Sequence, residues 1–551
     1  DRYKAKGPLT HLLLMVVAID DAVGLVLFSA SYGVANALEQ GHMDLLSVVV
    51  EPLMEILLSL LLGAVTGASA IDFKAKGQWL MGFSAGDGSL VSHVKDNKAS
   101  NHNKAADTDD IFGASQRVRL QLDAVASEAL SGTVFFEIGD QVWGDNDNGG
   151  ALGADGKVVE LKRAYIDWMV PQTDLKVRMG IQGIALPSFT TNASQIMDDD
   201  VAAISLNYQF NENVGLTAFW ARPYNDNSGY KWNGDKEGYQ NYMDNMDMFA
   251  VLLPLTFDGV KVTPWVMYAA MGPGMFNEWK HPEDKTKKFS GGNAWTRASN
   301  GLVSGFAGTD PLDTYGNAFW AGVTGEVTYW DPFRIAWDVN YGSAAYADEK
   351  MNREGWLASL LLEYKLDWGT PGLYGWYSTG DDNNPRNGSE RMPVVSANGN
   401  NQFSNFAFNG NPYIAREGVL GSTMVGTWGI GARLKDVSFV EDLKHSFRVA
   451  YWGGTNSPSM AKYVNSSYGW QNFNNDLNFG EKDGPYLTTN DGLLEFNLVN
   501  SYQIYENLEA NLELGYIVNM MDDDTWKRSY RNDSYKKQDA WKAQLIFAYS
   551  F

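Results

Sequence analysis

The sequence predicts an all-β fold, a transmembrane antiparallel up-and-down β-barrel of 18 strands, and three observations predict it. The chain ends on a run in which Trp541, Ala543, Leu545, Phe547, Tyr549 and Phe551 alternate with Lys542, Gln544, Ile546, Ala548 and Ser550. From about residue 71 onward, strands with a two-residue apolar period recur at the length that tilted outer-membrane strands require. Short polar turns alternate with long connections rich in Gly, Asn, Asp and Ser, as a barrel with short turns at one end and long loops at the other demands.

The terminal strand is the most specific of these signals. Outer-membrane barrels of Gram-negative bacteria end on an aromatic that follows alternating apolar residues, and the barrel assembly machinery reads that pattern, so Tyr549 and Phe551 are the expected assembly signal. Composition agrees. There are 56 Gly, 19 Trp, 27 Tyr and 26 Phe in 551 residues, with no Cys and six His. A slightly negative mean hydropathy does not oppose a membrane barrel, because only every second strand residue meets lipid. The absence of Cys excludes disulfide scaffolds, thiolate catalysis and zinc–thiolate sites. A formal charge of −23 argues against nucleic acid as a partner.

Two neighbouring strands show the alternation most clearly. Leu494, Phe496, Leu498, Tyr502 and Ile504 are expected to face lipid, with Glu495, Asn497, Ser501 and Gln503 inward. After a Glu506-Asn507 turn, Leu508, Ala510, Leu512, Leu514, Tyr516 and Val518 take the outer face, and Glu509, Asn511, Glu513 and Asn519 the lumen. Aromatics close strands ahead of short turns at Phe210, Phe257, Trp330, Trp368 and Tyr505, which reads as an interfacial girdle. Long connections fall at about 86–110, 144–158, 184–200, 224–244, 271–317, 343–354, 380–422, 456–490 and 521–538. Nine such loops give eighteen strands; losing two of the strands would give sixteen, and either size encloses an aqueous channel.

The third long connection carries most of the functional expectation. Its Pro187-Ser188-Phe189 resembles the Pro-Glu-Phe step of the loop that folds inward and narrows the channel in general trimeric porins. At its end stand Asp198, Asp199 and Asp200, either a negative edge in the pore, a divalent-cation site or a solvated loop exit. Inward positions of the flanking strands hold Arg117, Arg119, Arg163, Lys176 and Arg178. A basic wall facing an acidic loop sets a transverse field that orients dipolar solutes and discriminates ions. The same cations could instead pair with Asp123, Glu137 and Asp167 and merely satisfy the wall.

No enzyme motif is legible. His93, His102, His281 and His445 fall in loops or a turn without a nucleophile or carboxylate arrangement, and no Walker loop, His-Glu-x-x-His run or dinucleotide fingerprint occurs. Loop clusters such as Asp381-Asp382 and Asp522-Asp523-Asp524 read as solvated or calcium-bridged, and no other cofactor is expected.

Residues 71–551, opening Ile71-Asp72-Phe73-Lys74-Ala75-Lys76-Gly77-Gln78-Trp79-Leu80-Met81-Gly82-Phe83, resemble the homotrimeric outer-membrane porins of sulfate-reducing, Desulfovibrio-type bacteria. The resemblance implies a homotrimer of separate diffusion pores, in contact with outer-membrane lipid and lipopolysaccharide, passing small hydrophilic solutes and ions. Residues 1–67 differ. Leu12 to Ala37 and Leu45 to Gly67 are hydrophobic stretches of helical length, and the first, with Asp20 and Asp21, resembles the Asp-Asp helix of cation/proton antiporters. Two helices cannot build an alternating-access cavity, so these carboxylates are vestigial ion-site candidates at most. Ala68-Ser69-Ala70 offers a cleavage signature that would start the mature chain at Ile71, leaving 1–70 as a foreign hydrophobic helical segment or cleaved signal region.

The leading expectation is therefore a passive porin of the Gram-negative outer membrane. A substrate-selective barrel, with aromatic rails such as Trp320 or Trp376 guiding a sugar or peptide, is the alternative. A secreted soluble glycan-binding β-protein is a third reading.

Overall fold

The computed structural model describes residues 71–87, 90–93, 111–146, 149–153, 159–191, 193–225, 245–272, 301–304, 316–397, 403–404, 423–463, 486–526 and 535–551. The readings placed on 1–70, Asp20 and Asp21 among them, lie outside these residues, as do His102 and His281. One compact unit comprises residues 73–124 and 128–551 and carries the barrel. Of the other, residues 1–72 with 125–127, the described part is strand ends and Ile71. No helix among the described residues is long and apolar enough to cross a membrane.

The barrel strands are β1 (Asp72–Asp87), β2 (Ile111–Ser127), β3 (Leu130–Val142), β4 (Val159–Met169), β5 (Leu175–Ala185) and β6 (Asp198–Gln209). They continue with β7 (Gly215–Asn225), β8 (Asn245–Leu252 with Leu255–Phe257), β9 (Val260–Met271), β10 (Gly316–Val327), β11 (Phe333–Ala345) and β12 (Arg353–Tyr364). The ring ends with β13 (Thr370–Ser378), β14 (Thr427–Val440), β15 (Leu443–Gly454), β16 (Gly492–Tyr505), β17 (Leu508–Asn519) and β18 (Ala540–Ser550). Each pairs with its sequence neighbours, and β1 pairs with both β2 and β18, so the sheet closes on itself. The two pieces of β8 are one stave interrupted at Pro254, which has no N–H to give the ladder. The count is thus eighteen, not sixteen. A short pairing of Val91–His93 with Tyr535–Lys537 stands apart from the ring.

Closure is sealed where β1 meets the chain end. Gly77 N donates to Phe551 O at 2.8 Å and Phe551 N to Gly77 O at 3.0 Å. A Cβ on Gly77 would lie 2.6 Å from the backbone oxygen of Arg119 and 2.5 Å from the Phe551 ring, so glycine is required where β1 passes between β2 and the terminal aromatic. Outward-facing Tyr549 stacks on Phe551 with centroids 5.7 Å apart.

Alternation along the strands separates two surfaces. Phe249, Val251, Phe319, Val323, Trp356 and Leu360 are exposed on the outside, while Ala250, Trp320, Gly322, Leu357 and Ser359, at alternate positions, are buried. An exposed apolar wall of this extent is a lipid-facing surface. Both expected faces of β16 and β17 are found: Glu495, Asn497, Asn511 and Glu513 are buried, and Phe496, Tyr502, Leu512 and Leu514 are exposed. Phe210, Phe257, Trp330, Trp368 and Tyr505 are exposed at the short turns, as a girdle requires.

Candidate permeation site

The third long connection does not stay outside the barrel. Ser188 Oγ donates to Asp338 Oδ2 at 2.8 Å, Phe189 N to Oδ1 at 2.9 Å and Thr190 N to Oδ2 at 3.0 Å. Thr190 Oγ1 also donates to Asp338, and it meets Ser359 Oγ at 2.6 Å. Asp338 and Ser359 are buried, inward positions of β11 and β12, whereas the loop leaves β5 and returns through β6. The segment Ser188–Thr191 therefore enters the lumen and is tied to a part of the wall five to six strands away from β6. Four donors on one carboxylate is the arrangement that makes burying it tolerable.

Beside this tie lies a charged cluster that sequence reasoning missed. Arg334 donates through Nε to Glu326 at 2.8 Å, through Nη1 to Glu363 at 2.8 Å and through Nη2 to the carbonyl oxygen of Phe189 at 2.8 Å. Arg433 Nη2 donates to Glu363 at 2.8 Å, and Lys435 Nζ lies 3.3 Å from the same carboxylate. Strand register explains the reach. Arg334 stands opposite Glu363, Glu363 opposite Gly372, and Gly372 opposite Arg433. A Cβ on Gly372 would come within 3.2 Å of Glu363 Cγ and 3.4 Å of Arg433 Cγ, so glycine on the intervening strand leaves the room in which Glu363 and Arg433 meet. Ser188, Phe189, Thr190, Thr191, Glu326, Arg334, Glu363 and Lys435 line a cavity of about 550 Å³.

The expected constriction residues are placed differently from one another. Arg117 pairs with Asp140 at 2.6 Å, and Arg119 with Glu137 at 2.6 Å. Arg178 pairs with Asp167 at 2.6 Å, joined by Lys176 at 3.0 Å, and the Arg178 guanidinium lies 4.0 Å from the Tyr165 ring centroid. Arg163 and Lys162 both hold Asp200, at 2.5 and 3.1 Å. Asp198, Asp199 and Asp200 open β6 in register with Ala185, Ile184 and Gly183, so they belong to the wall rather than to the free end of the loop. Asp199 accepts from Ser396 Oγ at 2.6 Å. Asp123 takes neutral partners, Gln121 at 2.8 Å and Thr133 at 2.7 Å.

Segments of the connections 379–426 and 455–491 also enter the interior. Met392, Val394, Val395, Phe403, Met424 and Val425 are buried. Trp320 is buried and donates to Pro393 O at 2.9 Å, and Trp376 stacks near Phe403 with centroids 5.9 Å apart, so both expected rails are covered by loop residues. The third connection and this one are fastened together: Asp198 N donates to Ser396 O at 2.8 Å, and Met424 N to Gln195 Oε1 at 3.2 Å. Asp381 anchors the covering segment through Ser389 Oγ and through Tyr486 OH at 2.9 Å. Burial pushes the Asp381 carboxyl above its usual value, against the pull of Arg391 and these hydroxyls. Burial likewise raises Asp491, although Thr488 and Trp526 donate to it.

Among the described residues, no three His, Cys, Asp or Glu side chains stand together as a metal site. His445 meets Asn500 at 2.7 Å on the wall.

No protein-family model matches the chain, and no curated protein matches it. Solved structures do. A BenF-like porin from Pseudomonas fluorescens Pf-5 matches with TM-score 0.47 and 9% identity, covering 87% of this chain and 98% of that one. Pseudomonas aeruginosa OpdL matches with TM-score 0.45 and 10% identity over 87% and 99%. The outer-membrane protein opdK of the same species matches with TM-score 0.44 and 8% identity over 87% and 99%. From its own geometry, a closed ring of eighteen antiparallel strands with a lipid-facing apolar exterior and a charged interior, this chain is a transmembrane β-barrel of the Gram-negative outer membrane.

Proposed function

We propose that the barrel is a substrate-selective channel whose third loop narrows the passage to the charged cavity beside Asp338, and that its solutes are small, hydrophilic and dipolar. One observation carries this reading: the segment Ser188–Thr191 and the wall residues Glu326, Arg334, Glu363 and Lys435 together line about 550 Å³. That volume lies within the usual range of small-molecule sites. Two carboxylates and two cations face it, so a solute carrying both signs of charge exchanges its hydration for partners of each kind. A zwitterionic peptide does so better than a simple ion. The field between the two signs is strongest at the short range set by the cavity walls. In this proposal Arg117, Arg119, Arg163, Lys176, Arg178 and Asp198–Asp200 tune the approach as paired wall charges. The resemblance to trimeric porins adds a homotrimer, checked by the mass of the detergent-solubilised native particle.

The test is block of single-channel current in planar bilayers by zwitterionic dipeptides, with neutral disaccharides of similar size as the comparison. Saturable block by the dipeptides alone is expected. Flux that rises linearly with concentration for every solute small enough to enter would return the barrel to a passive diffusion porin.

A further inference from the structure

Phe403 and Ser404 sit in a cradle that the charged cavity does not explain. The Phe403 ring stacks on Tyr374 with centroids 4.3 Å apart and planes 11° from parallel, and Trp376 flanks it at 5.9 Å. Trp452 closes the cradle edge-on to Trp376 at 4.4 Å. Tyr374 OH donates to the Phe403 carbonyl oxygen at 2.7 Å. Ser404 Oγ donates to Glu495, whose second oxygen accepts from Trp452 Nε1 at 3.0 Å. All six side chains are buried, and Tyr374, Trp376, Trp452 and Glu495 come from three wall strands, β13, β15 and β16. The wall thus reads three features of a peptide at once: an aromatic ring, the carbonyl that follows it, and a hydrogen-bond donor one residue on.

We propose that this cradle is a binding subsite for an aromatic aminoacyl unit of a permeating peptide, and that Phe403-Ser404 occupies it as a built-in competitor. The inference rests on the selective-channel reading and names the side chain that reading lacks. Stacking on two aromatic faces needs a flat ring, which an aliphatic side chain cannot supply. Glu495 then offers a carboxylate to whatever donor follows the ring, a hydroxyl or an ammonium. Displacement of Phe403 by a solute ring exchanges one stacked pair for another, so the main-chain carbonyl and the donor decide the balance.

The experiment is dipeptide block of the full-length barrel in planar bilayers, with Phe-Ser and Leu-Ser as probes, comparing wild type, Phe403→Ala and the double variant Phe403→Ala/Trp376→Ala. Emptying the cradle is expected to tighten Phe-Ser block about tenfold while leaving Leu-Ser unchanged, and the second substitution should cancel the gain. Phe403→Leu, which keeps the space filled by an apolar side chain, should behave between the two, and heat-modifiable migration verifies folding of each variant. Equal tightening for both dipeptides, or none for either, would overturn the cradle. If both probes block wild type and every variant with one affinity, the cradle fails while the selective channel stands; if neither blocks anything, the selective channel itself fails.

Discussion

Phe189 N donates to Asp338 Oδ1 at 2.9 Å, linking the third long connection to β11, five strands on from β6 around the barrel. Three further donors, from Ser188 and Thr190, converge on the same carboxylate. Hydrogen bonds to a charged acceptor contribute about 1.5–3 kcal/mol each, and a buried donor left without a partner costs a comparable amount. Asp338→Ala should therefore release the loop segment by at least ~3 kcal/mol, on the order of a hundredfold in the ratio of tied to free loop. Larger single-channel conductance with more current noise is expected, at unchanged heat-modifiable migration. Wild-type conductance in that variant would mean that the loop is held elsewhere.

Arg334 and Glu363 make opposite predictions for ion selectivity. Arg334→Gln removes the cation shared by Glu326 and Glu363, so the cavity should turn cation-selective. Glu363→Gln leaves Arg334, Arg433 and Lys435 without their common partner and should turn it anion-selective. Reversal potentials under a potassium chloride gradient should move in opposite directions, and both shifts should shrink at high salt, where the Debye length falls to roughly 3 Å at 1 M.

The three consecutive aspartates should not act alike. Asp200 holds both Arg163 and Lys162, whereas the Asp199 bond given above is to a neutral hydroxyl. Asp199 shares the inward face of β6 with Val201 and Ser205, whereas Asp200 lies on the face of exposed Ile204 and Leu206, so Asp199→Asn is expected to reproduce most of the anion-ward shift of the triple Asn variant and Asp200→Asn little of it. Equal shifts from the two single variants would contradict that placement.

A pH dependence follows from Asp381. Its carboxyl is held above the ordinary value by burial, so in the folded state it keeps a proton that the unfolded chain has already released. Stability of the covering segment then falls as pH rises through and above the ordinary carboxylate range near 3.9, the reverse of a salt-bridged aspartate. Asp491 acts in the same direction. Protection of the 379–397 segment from protease in reconstituted vesicles should be greater at pH 4.5 than at pH 7.5, and Asp381→Asn should flatten the difference. Protection that increases with pH would reverse the assignment.

Much of this architecture is legible in the residues because a lipid-facing strand must alternate. The two faces of β16, β17 and β18 follow from Phe496, Leu512, Phe547 and their neighbours, and nine long connections read from composition give the eighteen strands found. Inward Arg117, Arg119 and Arg178 are equally legible, as are Glu137 and Asp167, which pair with Arg119 and Arg178, but Asp140, the partner of Arg117, is not, since strand register and bulges choose it. The tie between Phe189 and Asp338 leaves no local signature, because the two residues meet only when the ring is closed. A parity count of inward charges on β11, β12 and β14 would have marked Arg334, Asp338, Glu363, Arg433 and Lys435 as a group. Asp198–Asp200 look like a loop end because consecutive acids are rare in strands; salt bridges from Arg163 and Lys162 make the strand tolerable at Asp200.

The meeting of Gly77 with Phe551 also fixes the order in which the wall is completed. Every other neighbouring pair of staves is joined through a connection of limited length, but this pair is joined only through the whole ring. Its loop-closure entropy is the largest in the molecule, and it is recovered only when all the other pairings exist. A substitution such as Gly77→Val, which sets a side chain against the terminal ring, should leave the hairpins intact and stall the protein as an open curved sheet. In such a sheet the two outermost strands would each present a row of unpaired backbone groups to the hydrocarbon, a state that lipid does not tolerate. The seam is thus a checkpoint: an imperfect last strand is penalised at the moment of closure, before a leaking pore can exist.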